Sequence, residues 1–290
     1  MAKRFRHPHR RRAPTVSSLR SVIGRAVKIT AATMDRVRPP SPGIVVLLYH
    51  RVGRRSFSEV DLDAAIFAEQ MAFLADSTDV IRLERALHEL EDPSATPRRR
   101  PAVVVTFDDG TDDFVDVAVP ILDRYRVPVT MYLATAFVDE GVSFADGARP
   151  ASWAGLVDAC ATGFVDIGSH THRHRLLDRL PPDECAGELD RSIELIGERL
   201  GRSPADFAYP KAVFGSRDAD AAVRRRFRSA AVAGTRANIH GRADAYRLAR
   251  SPVQVGDGMT FFRHKVSGGM RLEDTMRRAA NSLRYAGRSS

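Results

Sequence analysis

Val103-Val104-Val105-Thr106-Phe107-Asp108-Asp109-Gly110 is a β-branched run that ends in two adjacent carboxylates and a glycine. Its length and composition are those of a buried strand, and Gly110 permits the turn that leaves both acids at the strand's mouth. Successive residues of an extended chain point to opposite faces, so Asp108 and Asp109 are expected to do different jobs. One would bind a metal while the other handles protons. Alone, the tripeptide reads more readily as a common surface Asp-Asp-Gly turn, and a second stretch further along the chain decides against that.

That stretch is Asp166-Ile167-Gly168-Ser169-His170-Thr171-His172-Arg173-His174, which continues the apolar Gly163-Phe164-Val165. Three alternating histidines suit either a solvated loop or a metal site. If the segment curls into a helical turn, His170 and His174 lie four apart on one face. Two neutral imidazoles plus one carboxylate leave a fourth zinc position open, which is the catalytic pattern, and Asp109 supplies the carboxylate. His172 falls between the ligands and would face away, in a solvated or hydrogen-bonding role.

Around these two stretches, strands alternate with helices, the mark of a parallel sheet. The patterning predicts strands near 44–49, 79–83, 102–107, 128–134, 164–168, 205–209, 229–233 and 246–253. It predicts helices near 64–76, 83–91, 113–125, 152–161, 182–201 and 217–227, the fifth bounded by Asp183 and Gly201. Phe261-Phe262-Arg263-His264-Lys265 reads as an alternating strand with His264 outward. A further helix is expected over 271–285, with Leu272, Met276, Ala279 and Leu283 on one stripe. There is no internal repeat and no phosphate-cradling glycine loop.

The chain has 290 residues and 43% hydrophobic content, ordinary for one large α/β domain of ~200–250 residues plus a tail. Its net charge of +9 first suggests a nucleic-acid or membrane partner. Residues 1–40, however, hold eleven Lys/Arg and one acid, Asp35, while the remainder is nearly neutral at −1. Residues 1–43 are therefore read as a basic N-terminal tail and 44–290 as the catalytic domain. Within the tail, Lys3 to Arg12 is a basic, proline-interrupted run expected to be disordered. From Thr15 a helical stripe of Val16, Leu19, Val22, Ile23, Ala26 and Val27 follows, and Pro39-Pro40-Ser41-Pro42-Gly43 is the linker. The helix could dock on the domain, the simpler expectation, or make a peripheral membrane or protein contact; basic residues near an anionic surface contribute about 1 kcal/mol each. No apolar run reaches the ~18 residues of a membrane span or has the form of a signal peptide. Cys160 and Cys185 are too few for a disulfide scaffold. A cytoplasmic protein, with membrane association through the tail as the alternative, is the expectation.

These motifs resemble the polysaccharide deacetylases that share the NodB homology domain, a carbohydrate esterase family 4-like group. Leu47-Leu48-Tyr49-His50-Arg51-Val52 and Phe67-Ala68-Glu69-Gln70-Met71-Ala72-Phe73-Leu74 are similar to that family's opening strand and first helix. Thr106 to Gly110 resembles its first motif, Ser152-Trp153 through Gly168-Ser169-His170-Thr171 its second, and Phe207-Ala208-Tyr209-Pro210 its third. The resemblance runs from Ile44 to about Gly268 and implies a distorted, irregular (β/α) barrel. It also implies that Asp108 is the general base, that Asp109, His170 and His174 hold a divalent metal, usually zinc, and that the backbone N–H of Lys211 helps bind an oxyanion.

The chain departs from the family pattern in three places. Ala208 stands where many relatives have an arginine that orients the base, and Lys211 and Ala212 replace a tyrosine and glycine. Leu248-Ala249-Arg250-Ser251-Pro252-Val253 resembles a strand of relatives lacking that arginine, which makes Arg250 its candidate substitute. The family's late Leu-x-His, the general acid, is absent. His50 is the candidate to replace it, because the strand ends on one face of a parallel barrel surround one pocket. His240 and His264 are weaker alternatives.

The resulting expectation is a metal-dependent hydrolase that removes N-acetyl groups from amino-sugar residues of a glycan or oligosaccharide. Trp153, Tyr209 and Phe214 are candidates to stack on sugar faces, with Trp153 equally a packing residue. The rivals are an amidase acting on a small non-sugar amide and a catalytically weak glycan-binding relative. A nucleic-acid partner is the weakest reading, because the charge that suggests it is confined to the tail.

Overall fold

The computed structural model describes residues 16–94 and 98–277, with side chains from Gly24 onward. Seven parallel strands close into a barrel: β1 (Ile44–Tyr49), β2 (Ala102–Asp109), β3 (Val129–Leu133), β4 (Val165–Ser169), β5 (Asp206–Ala208), β6 (Ser229–Ala233) and β7 (Leu248–Pro252). Each strand pairs with the next in sequence, and β7 returns to β1. The barrel is uneven. β1 and β2 are in register over six residue pairs, whereas β4 meets β5 only at Ser169 and Phe207. Asp79–Val80 adds a two-residue strand beside the start of β2, all that forms of the strand expected over 79–83.

Burial on both faces explains why the strands read as near-continuous apolar runs. In β1 all six residues are buried. Val45, Leu47 and Tyr49, with Val103, Val105 and Phe107 of β2, pack outward among helix residues such as Phe67, Met71, Leu122 and Leu156. Their alternates, among them Ile44, Val46, Val104, Tyr132, Ala208, Ala231 and Leu248, fill the lumen and meet Leu83, Ala86, Leu87 and Leu90. The last four belong to a helix that closes the N-terminal end of the barrel. Towards the C-terminal end the lumen turns polar, with Thr106, Asp108 and Arg250 all buried. Fold chemistry therefore assigns packing to one end and leaves the other for the site.

The helices are α1 (Val16–Val37), α2 (Ala64–Ser77), α3 (Leu83–Glu91), α4 (Val119–Tyr125), α5 (Thr135–Glu140), α6 (Trp153–Ala161), α7 (Pro182–Leu200), α8 (Arg217–Arg224) and α9 (Gly258–Val266). Asp63, Ser152 and Ser216 cap α2, α6 and α8 by accepting backbone N–H bonds, and Gly201 ends α7 at φ 70°. Two of these helices depart from the sequence patterning. The short α5 is not anticipated by it, and 261–265 lies in α9 instead of a strand. In α9 the buried residues are Phe262, Lys265 and Val266, a helical spacing hidden in the sequence because one member is a lysine. Lys265 is paired with the buried Asp257 at 2.7 Å.

The basic segment before the barrel is helical over Val16–Val37, and α1 docks on the domain. Lys28 bonds to Asp257 and Glu273, Ala31 and Ala32 pack with Met270, and Asp35 accepts the Met270 N–H at 2.8 Å. The expected stripe at Val16, Leu19, Val22 and Ile23, the Lys3 to Arg12 run, and Ala279 and Leu283 of the last helix lie outside the described side chains. Residues 271–277 are helical as expected. No helix among the described residues is long and apolar enough to cross a membrane.

Candidate active site

β2 delivers Asp108 and Asp109 to the barrel mouth. Asp108 is the inward residue of the strand, 3% exposed. Asp109 departs from strand geometry, with φ 79°, and Gly110 follows at φ 91°. That left-handed residue breaks the alternation expected of the strand. Asp108 Oδ2 lies 3.8 Å and Asp109 Oδ1 3.7 Å from the same atom, His170 Nε2. Gly110 is required both by its φ and by space, since a Cβ there would stand 2.5 Å from Leu133 Cδ2.

β4 delivers the histidines, but the segment after it is not the helical turn expected from the spacing. It is an irregular loop in which Thr171 (φ 67°) and His174 (φ 56°) are left-handed. Those two residues fold His174 back, so that its ring centroid is 4.9 Å from that of His170. His174 Nε2 lies 3.4 Å from Asp109 Oδ1. His172 points away and bonds to Thr135 Oγ1 at 3.0 Å.

Asp109, His170 and His174 each offer a donor atom, and these atoms lie within 4.8 Å of one another. His170 Nδ1 lies 2.7 Å from the carbonyl oxygen of Ala208; that oxygen can only accept, so Nδ1 carries a proton and Nε2 is the nitrogen turned towards Asp109. For His174, burial and then His170, opposed by Asp109, hold the pKa down at about 4. It is neutral at pH 7. The donor set, one carboxylate and two imidazoles, fits zinc or a similar divalent ion.

Arg250 reaches Asp108 from across the lumen. On β7 it is 1% exposed, and its Nη1 and Nη2 bond to Asp108 Oδ1 at 2.6 Å and Oδ2 at 2.8 Å. This bidentate clamp fixes the carboxylate plane. Burial alone would raise the Asp108 pKa; the charge of Arg250, then His170, then the Arg250 hydrogen bonds and His50, more than offset it and hold it at about 2. Tyr132, one strand over and in register with Asp108, places its ring 5.1 Å from the guanidinium carbon. Sequence reasoning missed Tyr132, because a tyrosine in an apolar strand signals only packing. Gly168, its partner on β4, makes room for it: a Cβ there would be 2.5 Å from the Tyr132 ring.

The remaining candidates divide by position. His50 ends β1 beside this group, and its Nδ1 is buried with no hydrogen-bond partner among the described residues. Lys211 sits in the turn after β5 with φ 53°, near enough for its charge to help depress the His174 pKa. His240 lines a cavity of about 400 Å³ with Val45 and Ala102, at the opposite end of the barrel. His264 lies 3.7 Å from Asp35 on the outer wall. Of the aromatic candidates, Tyr209 is fully buried, with its hydroxyl turned to Asp220, and cannot reach a sugar. Trp153 packs on the outer core and donates to Asp139, and Phe214 packs against Tyr209 and Arg247.

Comparison with known proteins agrees with the motifs. Residues 95–229 match the family model for polysaccharide deacetylase. Among solved structures, IcaB from Ammonifex degensii superposes with a TM-score of 0.68 at 24% identity, covering 78% of this chain and 98% of that one. The Streptococcus pyogenes deacetylase PplD, in complex with acetate, gives 0.67 at 20% identity over 78% and 99% of the two chains. A de-N-acetylase from Aggregatibacter actinomycetemcomitans gives 0.64 at 19% over 77% and 99%. These structures share the fold, a NodB-type barrel. Among curated proteins no match is found.

Proposed function

We propose that the polysaccharide deacetylase domain of this chain removes N-acetyl groups from amino-sugar residues of a glycan, with a divalent metal held by Asp109, His170 and His174. One observation carries this reading: three metal-competent donors within 4.8 Å stand beside a second carboxylate clamped by a buried arginine. When bound, the metal would polarise the acetamide carbonyl and acidify the attacking water.

Asp108 is the proton acceptor for that water. With a pKa of about 2 it is ionised throughout the working range, yet it is a poor base for bulk water. It serves only where the water is already acidified, which is the argument for a metal beside it. Arg250 holds the carboxylate in one plane and thereby takes the part of the arginine absent at Ala208. The Lys211 N–H, in its left-handed turn, is assigned the charge that develops on the carbonyl oxygen. His50 is assigned the proton delivered to the departing amine, because it follows β1 at the barrel mouth, near enough to act electrostatically on Asp108, and its buried Nδ1 has no described partner. The products are acetate and a free amino sugar.

Acetate release from N-acetylglucosamine oligomers, compared with small N-acetyl amides, tests the substrate class. Release from the oligomers, abolished by chelation, supports a glycan deacetylase. Release from small amides only replaces the glycan reading with that of an amidase. Metal binding without turnover on any acetylated substrate favours a catalytically weak glycan-binding relative.

A further inference from the structure

The outer face of α1 is unusual in both charge and polarity. The helix spends its polar contacts inward: Lys28 pairs with Asp257 and Glu273, and Asp35, the one acid in residues 1–40, accepts the Met270 N–H. Facing solvent are Ile29 and Met34, each 52% exposed, and Val37 at 84%. Thr30 and Thr33, exposed between them, turn their hydroxyls back onto the carbonyls of Ala26 and Ile29, at 3.0 and 2.9 Å. Arg25, Arg36 and Arg38 are the exposed charges beside them. The adjoining 271–277 helix repeats the pattern: Glu273 and Asp274 are spent on Lys28 and Arg277, while Met276 is exposed. Of the large hydrophobic residues exposed among the described residues, over half lie on these two helices. That concentration excludes a random scatter of surface apolar groups.

We propose that this face is a docking surface for an anionic lipid bilayer. An amphipathic helix with apolar residues on one face and flanking arginines lies in the interface plane, its side chains entering the boundary between headgroups and acyl chains. Charge complementarity selects an anionic surface, since residues 1–40 carry +10 while the rest of the chain is nearly neutral. The apolar residues select lipid over nucleic acid, because a polyanion would be met by arginines alone and would leave Ile29, Met34 and Val37 in water. The inward face is already committed to the barrel, so α1 docks on the membrane while remaining packed on the domain.

Co-sedimentation of the full chain with phosphatidylcholine vesicles, with and without phosphatidylglycerol, tests this, with duplex DNA binding measured alongside. The wild type is expected to sediment with the anionic vesicles only, and less at high salt. Ile29→Asp/Val37→Asp alters two exposed positions, so thermal stability is expected to be retained while the partition into anionic vesicles falls at least about tenfold. Failure to sediment with anionic vesicles, equal sedimentation with neutral ones, or a partition unchanged in Ile29→Asp/Val37→Asp overturns the proposal. So does tight DNA binding without vesicle binding, which assigns the basic residues to nucleic acid. Acetate release from soluble oligomers is expected to be the same in wild type and variant, so this proposal and the catalytic reading fail separately.

Discussion

Asp108 and Asp109 differ in surroundings, which is the basis of the separate roles proposed for them: one is sealed in the lumen under Arg250, the other is swung towards two imidazoles by a left-handed backbone. Asp108→Asn keeps the shape and removes the proposed base. Acetate release is expected to fall by about 10²- to 10⁴-fold with metal stoichiometry unchanged, as read by turnover and metal analysis on one preparation. Arg250→Ala leaves a buried carboxylate without its partner, and a stability loss of about 3–5 kcal/mol is expected in chemical denaturation. The Asp108→Asn/Arg250→Met double variant, which removes both charges, is expected to recover much of that loss. The pH dependence follows from the two shifted groups. Asp108 is depressed from 3.8 to about 2, so its stabilisation, about 2 kcal/mol, is complete above pH 3.8 and lost as the pH falls towards 2. His174 is depressed from 6.5 to about 4, so the metal-free protein loses stability as the pH falls from 6.5 towards 4, where the unfolded chain takes up the proton first. Replacing His174 with Gln is expected to flatten that limb of a Tm-against-pH curve; an unchanged curve would contradict the assignment. The acids and histidines are legible in the sequence because their types and spacing are rare together. The left-handed φ of Asp109 and His174 is not, since Asp and His are only enriched at positive φ and most of them are not left-handed.

At the scale of elements, the strands are legible wherever both faces are buried, as in β1 and β2, whose apolar runs are unbroken. α9 reads as a strand because its inward stripe contains Lys265, and only the partner Asp257 makes a buried lysine acceptable. α5 escapes notice because it is six residues long, too short for a periodicity to show, although Gly141 marks its end. The pairing of β3 with β4 gives an element-level prediction. Gly168→Ala would push a methyl group into the Tyr132 ring, which supports Arg250. A loss of about 1–3 kcal/mol is expected on denaturation, with kcat reduced and metal binding kept. Tyr132→Phe, which keeps the ring, is expected to leave kcat and its pH profile unchanged, whereas Tyr132→Leu is expected to lower kcat. Equal rates in the Phe and Leu variants would remove Tyr132 from any positioning role.

Across the whole molecule, a nearly neutral barrel presents its polar mouth at one end and is flanked by a strongly basic segment. The distribution of charge along the chain is enough to distinguish those two parts, and the closure of seven strands around Asp108 and Arg250 explains why residues 142 positions apart meet. Closure itself is not legible in the pairwise patterning; it comes through the resemblance to a known barrel. The most direct measurement is acetate release from N-acetylglucosamine oligomers by the wild type, by the same protein after chelation, and after zinc is restored, with His170→Ala as control. The expected result is release that chelation abolishes, that zinc restores, and that the folded His170→Ala protein lacks together with its metal. Release that persists at full rate in the chelated protein, or in a His170→Ala protein devoid of metal, would contradict a metal-dependent site at Asp109, His170 and His174.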